Sequence, residues 1–146
     1  MKKPHKQNVI GWFLAVFFLF LAAGLAAALA IVFAPVELEL GETSYTLSFL
    51  IHEESAAYAD LEETVLLDES YTSDRITSYG GISKAFGTYK NDAYGEHFRL
   101  TFSENTHNFI LLKRKDGSVT VFNLKTPEST EELYVKLAEK LAALSA

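Results

Sequence analysis

The chain changes period twice. From Val9 to Phe33 it is apolar throughout, with no charged residue and only Gly11 and Gly24 interrupting a run of Leu, Ala, Phe, Val, Ile and Trp12. Such a run predicts one helix. At about 1.5 Å per residue it reaches about 37 Å, more than a hydrocarbon core of about 30 Å. Pro35 cannot continue the hydrogen-bond ladder and marks its end. A period of two follows: Val36-Glu37-Leu38-Glu39-Leu40 alternates apolar and charged, and Tyr45 to Ile51 alternates again beyond a turn at Gly41 to Ser44. These segments predict a hairpin.

Thr64 to Leu67, Ala85 to Tyr89, His97 to Phe102, Phe109 to Lys113 and Val119 to Asn123 read as further strands. The last two are joined at Lys115-Asp116-Gly117, where Asp-Gly is a strong turn signal. His52 to Leu61 is polar and Ala-containing. Asp68 to Ser83 reads as a polar loop, most flexible at Gly80-Gly81. The period then becomes helical. Leu133, Leu137, Leu141 and Leu144 fall on one face, widened by Tyr134, Val135 and Ala138. Thr126 is placed to cap this helix with Pro127 at its first position, and Ser129 to Glu132 fits a capping box one turn further in. About seven strands and a closing helix make an α+β pattern. A strongly bent sheet or partly open barrel, closed at one end by the helix, would bury both apolar faces. The organisation is a basic N-terminus at 1–8, a transmembrane helix at 9–34 and a soluble domain at 35–146, with no Gly/Ser linker between the last two.

Charge orients the anchor. Lys2, Lys3 and Lys6 precede the apolar run, and the next base is Arg75. By the positive-inside rule the N-terminus is expected in the cytoplasm and the domain outside. A cleaved signal peptide is the alternative, with Ala26-Ala27-Ala28 and Ala28-Leu29-Ala30 as small-residue sites. The apolar run is too long for that and continues past both sites, and Pro35 disfavours cleavage after Ala34. The chain has no cysteine, which excludes a lipoprotein anchor and disulfides. All nineteen Asp and Glu follow the apolar run, against ten of the thirteen Lys and Arg, so the domain carries a net charge of −9. That surface repels nucleic-acid phosphates and anionic headgroups.

Catalytic signals are missing: no Cys nucleophile, Gly-x-Ser-x-Gly elbow, phosphate loop or His-Glu-x-x-His. His5, His52, His97 and His107 never stand at helical ligand spacing, so neither a metal nor a cofactor is expected. The paired acids Glu53-Glu54, Glu62-Glu63 and Asp68-Glu69 read as solvated faces. Arg75 and Tyr79, beside Gly80-Gly81, and Tyr89 are candidate contacts for a ligand or partner. A local ion pair of Arg75 with Asp68 or Asp74 is the plainer reading. Lys113-Arg114-Lys115 reads as a charged edge opposing aggregation. Gly24 and Ala28 have small-xxx-small spacing, a candidate membrane-helix contact for self-association.

The series Tyr58-Ala59-Asp60-Leu61, Val65-Leu66-Leu67-Asp68, Arg75 with Gly80-Gly81, Phe86-Gly87-Thr88-Tyr89, Gly95 with Phe98-Arg99-Leu100, Ile110 with Lys115-Asp116-Gly117, Val121-Phe122-Asn123-Leu124 and Thr130 with Leu133-Tyr134 resembles the bacterial pleckstrin-homology-like domains. The series spans most of Val36 to Leu144. The family tends to place Gly closer after the Arg, so the loop is longer here. The resemblance implies a seven-stranded bent barrel capped by a C-terminal helix. It implies no enzymatic activity and no residue-level site. The expected function is a non-catalytic interaction module meeting another membrane or envelope protein. A small-ligand or lipid sensor, binding at the barrel mouth near Arg75, Tyr79 and Tyr89, is the alternative.

Overall fold

The structure, a computed structural model, describes residues 6–50, 52–80 and 83–146. Lys2, Lys3, His5, Ile51 and Gly81 of the sequence reading lie outside them. The chain forms two compact units that meet between Ala34 and Pro35. The first is one helix, α1 (Lys6–Phe33). Its Val9–Phe33 stretch has a mean hydropathy of 2.8 and is long and apolar enough to cross a membrane. It is apolar all round, which suits lipid contact; a soluble surface helix would show a single stripe. The helix stops two residues before Pro35, whose ring disfavours helical backbone at the residue ahead of it.

The second unit contains β1 (Val36–Leu40), β2 (Ser44–Phe49), β3 (His52–Ala57), a 3₁₀ turn (Tyr58–Asp60), β4 (Leu61–Leu67), β5 (Asp74–Gly80), β6 (Lys84–Asn91), β7 (Gly95–Phe102), β8 (Phe109–Arg114), β9 (Val119–Phe122) and α2 (Pro127–Ser145). The α+β order read from the sequence is present: apolar helix, strands, closing helix. The barrel is corrected. Among the described residues nine strands form two open sheets, one ordered β1-β2-β3 and the other β4-β8-β9-β7-β6-β5. Pairing is parallel between β7 and β9 and antiparallel in the other described pairs.

The strands beyond the expected seven are β3 and β5. β3 (His-Glu-Glu-Ser-Ala-Ala) has no apolar alternation, yet it pairs residue for residue with β2. Its Glu54 faces Arg114 and Thr120 of the other sheet. β5 is an edge strand exposed at every position except the half-buried Ser78. It has no buried face to impose alternation.

Thr120, bonded to Glu54, shows which face of the large sheet meets the small one. Its register partner Leu112, and Phe122 with Ile110, lie on that face. The small sheet covers it with Tyr45, Leu47 and Phe49, all buried. Phe49 meets Phe86 edge-on at 5.1 Å, and His52 stacks on Phe98 at 4.4 Å. α2 runs near β1, β4 and β8 and buries Leu137. Its cap is Thr126, which accepts from Ser129 N–H, with Pro127 in the first turn. The box therefore starts at Thr126, one turn earlier than the Ser129 to Glu132 alternative. Val135 and Leu144 are exposed, so the buried stripe is narrower than predicted.

Candidate functional site

The other face of the large sheet carries Phe109, Leu111, Val119 and Val121, packed with Val65, Leu67, Tyr71 and Tyr94. β4 and β5 are opposite edges of this sheet, so residues 68–73 must cross from one edge to the other. Tyr71 pins that crossing. Its ring lies 5.2 Å from Phe109 on β8, and its hydroxyl stands 2.5 Å from Nε2 of the buried His97 on β7.

Arg99 lies one alternation along β7 from His97, on the same face. Its guanidinium sits over three rings, at 5.2 Å from Tyr71, 5.0 Å from Tyr89 and 5.1 Å from Phe109. Nε donates to Thr101 Oγ1 at 2.6 Å, and NH1 donates to Ser73 Oγ at 2.8 Å. The Ser73 and Tyr71 hydroxyls are 3.3 Å apart. His97 Nδ1 is 2.8 Å from the Gly95 carbonyl, which can only accept. Nδ1 therefore holds the imidazole proton, and Nε2 accepts from Tyr71. With the imidazole neutral, Arg99 donates to Ser73, Tyr71 to His97 and His97 to Gly95, and the Ser73 and Tyr71 hydroxyls link the two halves of this network. Burial lowers the His97 pKa, and Arg99 adds to this against the Gly95 bond. Burial also raises the Tyr71 phenol pKa, opposed by Ser73 and by the Arg99 charge. Both shifts favour the uncharged imidazole and phenol.

A cavity of about 270 Å³ lies against Arg99, Thr101 and Phe109, bounded by Tyr71, Ser73 and Thr106. A second, of about 500 Å³, lies along the same crossing, between Tyr71 and Tyr94.

The residues singled out in the sequence are divided by this arrangement. Tyr89 is buried against Arg99. Arg75 is exposed and lies opposite Tyr89 in register. Among the described residues it forms no ion pair with Asp68 or Asp74. Tyr79 lies opposite Phe86, with ring centroids 6.0 Å apart, and Phe86 belongs to the face that meets the small sheet. Register thus joins Arg75 to Tyr89 and places Tyr79 with the other face. The open sheets leave no barrel mouth.

Lys113 and Arg114 pair with Glu62 and Glu54 at 3.1 and 2.9 Å. His107 is exposed and pairs with Glu69, away from the buried His97. Among the described residues no group of three or more His, Cys, Asp and Glu converges as a metal site. On α1, a Cβ added at Gly24 would meet nothing within 4 Å, so the Gly24 and Ala28 surface is open.

Sequence reading missed Arg99, Tyr71 and Ser73. His97, Arg99 and Thr101 do alternate with Phe98, Leu100 and Phe102, which marks a polar face on β7. Nothing local signals that Tyr71, inside a polar segment, returns to it. No family model matches this sequence, and no curated protein or solved structure matches it.

Proposed function

We propose that this protein is a non-catalytic interaction module anchored by α1 in a bacterial cytoplasmic membrane, with its domain outside. Its partner is another membrane or envelope protein that adds an extended segment along β5. The observation that carries this reading is the character of the sheet edges. β1 carries Glu37 and Glu39, β3 carries Glu53, and β4 carries Glu62 and Glu63, all exposed. Such charges guard an edge against further pairing. β5 carries its charges, Asp74 and Arg75, only at its start; Ile76, Thr77, Ser78 and Tyr79 then follow in succession without charge, and Ile76 and Tyr79 are 49% and 66% exposed. Strand addition at an open edge gains affinity from backbone bonds and specificity from alternate side chains. The resemblance to bacterial pleckstrin-homology-like domains agrees with a binding role, and Lys2, Lys3 and Lys6 support the orientation.

The test is photo-crosslinking in cells of the source organism, with the reactive residue at Ile76 on β5 or at Glu63 on β4. One discrete adduct from Ile76, lost on Tyr79→Lys and absent from Glu63, is expected. Equal adducts from both edges would refute a β5 site. A Lys115→Cys label at the exposed hairpin tip, reacted with an impermeant maleimide before and after lysis, reads the orientation.

A further inference from the structure

A guanidinium offers five N–H donors. Arg99 uses one on Thr101 and one on Ser73. Among the described residues no other acceptor bonds to it and no carboxylate pairs with it, although the chain holds nineteen Asp and Glu. The three rings attract its charge but give its remaining N–H groups no lone pair. They and the two hydroxyls fix the guanidinium in place, so little freedom remains to be lost when an acceptor arrives. The space in front of it is the cavity of about 270 Å³, lined also by Thr72 and Thr106.

We infer that this cavity binds the carboxylate or phosphate group of a small molecule, received by the free donors of Arg99 and by the bordering hydroxyls. A fixed planar fork matches two oxygens of such a group. The volume falls just short of the roughly 300 Å³ at which drug-sized pockets begin, so the ligand is small or inserts only its charged end. The net charge of −9 on the surrounding domain opposes polyanions and anionic bilayer surfaces. The oxyanion group of a small free molecule is therefore the occupant. Binding would reach the β4–β5 crossing directly, because Tyr71 and Ser73 belong both to that crossing and to the Arg99 surroundings. This site does not depend on the β5 edge.

The experiment uses the full chain in phosphatidylcholine nanodiscs, titrated separately with inorganic phosphate and with succinate. Backbone amide resonances of Ser73, Thr101 and Thr106 are followed. Saturable shifts are expected with at least one anion. Arg99→Lys keeps the charge but loses the fork, and should weaken the affinity about tenfold or more. Thr106→Val touches none of the Arg99 bonds. It should weaken the affinity several-fold while leaving the ligand-free melting temperature unchanged. No saturable shift with either anion, or unchanged affinity in both variants, would overturn the site. Shifts caused by phosphatidylglycerol discs without added anion would move the oxyanion to a lipid headgroup and overturn the small-molecule assignment.

Discussion

Tyr71 and His97 are 26 residues apart in the chain, and the Tyr71 hydroxyl stands 2.5 Å from His97 Nε2. Burial favours the neutral imidazole, in which Nδ1 donates to the Gly95 carbonyl and Nε2 accepts from Tyr71. Protonation would put a charge on a buried ring beside the Arg99 charge.

Stability should therefore fall in mild acid. The unfolded imidazole takes up its proton near pH 6.5, and the folded one only at lower pH. Below about pH 6.5 the unfolded chain holds the extra proton and gains on the folded one. The contribution is whole above that pH and declines as pH falls toward the folded value. Thermal melts between about pH 7 and pH 5 should show this decline, and His97→Gln should flatten it. An equal slope in His97→Gln would assign the decline to other groups.

The pairing of β5 with β6 depends on missing side chains at Gly80 and Gly87, and Gly87 is the more crowded. Its φ is +152°, and a Cβ there would lie 2.1 Å from the Thr77 carbonyl oxygen and 2.6 Å from Ser78 Cα. Gly87→Ala should cost well over the about 1 kcal/mol of an average substitution, because backbone must move. Gly117 has φ +87° with nothing within 4 Å, so Gly117→Ala should cost only about 1–2 kcal/mol, that of the left-handed backbone. Hydrogen exchange should localise the Gly87→Ala damage to β5 and β6, leaving β8 and β9 protected.

What the sequence disclosed follows from the same physics. β1, β2, β7, β8 and β9 each bury a face, so each carries apolar positions that periodicity detects. α1 is legible because it is apolar on every side, the character that a helix surrounded by lipid would need. β3 and β5 bury little and depend on a neighbouring strand for their shape, so their residues read as loop. Arg99 stood in a legible strand, but its meaning lies in Tyr71, Ser73 and Phe109, which only the fold brings to it. Tyr89 lies opposite Arg75 in register, and the guanidinium over its ring is that of Arg99.

The junction of α2 with the large sheet rests on a buried polar network that periodicity does not show. Asn123 Oδ1 accepts from Phe102 N–H at 2.7 Å, and its Nδ2 donates to the Asn105 carbonyl at 2.6 Å. Asn105 Nδ2 donates in turn to the Leu124 carbonyl and to Thr130 Oγ1. Asn123→Leu would leave two buried groups unpaired, each worth about 1–3 kcal/mol. Chemical denaturation should show a loss of about 2–5 kcal/mol. Asn108→Ala, which removes an exposed bond to Glu131, should stay within about 0.5 kcal/mol. A small effect of Asn123→Leu would mean that water can replace the network.

The two sheets are tied by Glu54 and Arg114, and Tyr45 reports on that pair. Glu54 Oε1 lies 2.9 Å from Arg114, and Oε2 accepts from Thr120 at 2.7 Å. The Tyr45 hydroxyl is buried with no hydrogen-bond partner of good geometry. Burial first, and then the Glu54 charge, push its pKa up to about 12, while Arg114 pulls against them. The two single variants should therefore move Tyr45 in opposite directions. Glu54→Gln should lower its pKa, leaving it above the ordinary 10 because burial persists, and Arg114→Met should raise it. Ring-carbon NMR titration of Tyr45 reads both. Each single change should also cost about 3 kcal/mol by stranding its half-buried partner. Arg114 has a second acid nearby, Asp116 at 4.0 Å, so its loss of Glu54 is partly offset. The double change Glu54→Gln with Arg114→Met should cost less than the sum of the two single changes, since it removes the charges together. Shifts of Tyr45 in the same direction, or strictly additive losses, would show that the two sheets are held by their apolar faces alone.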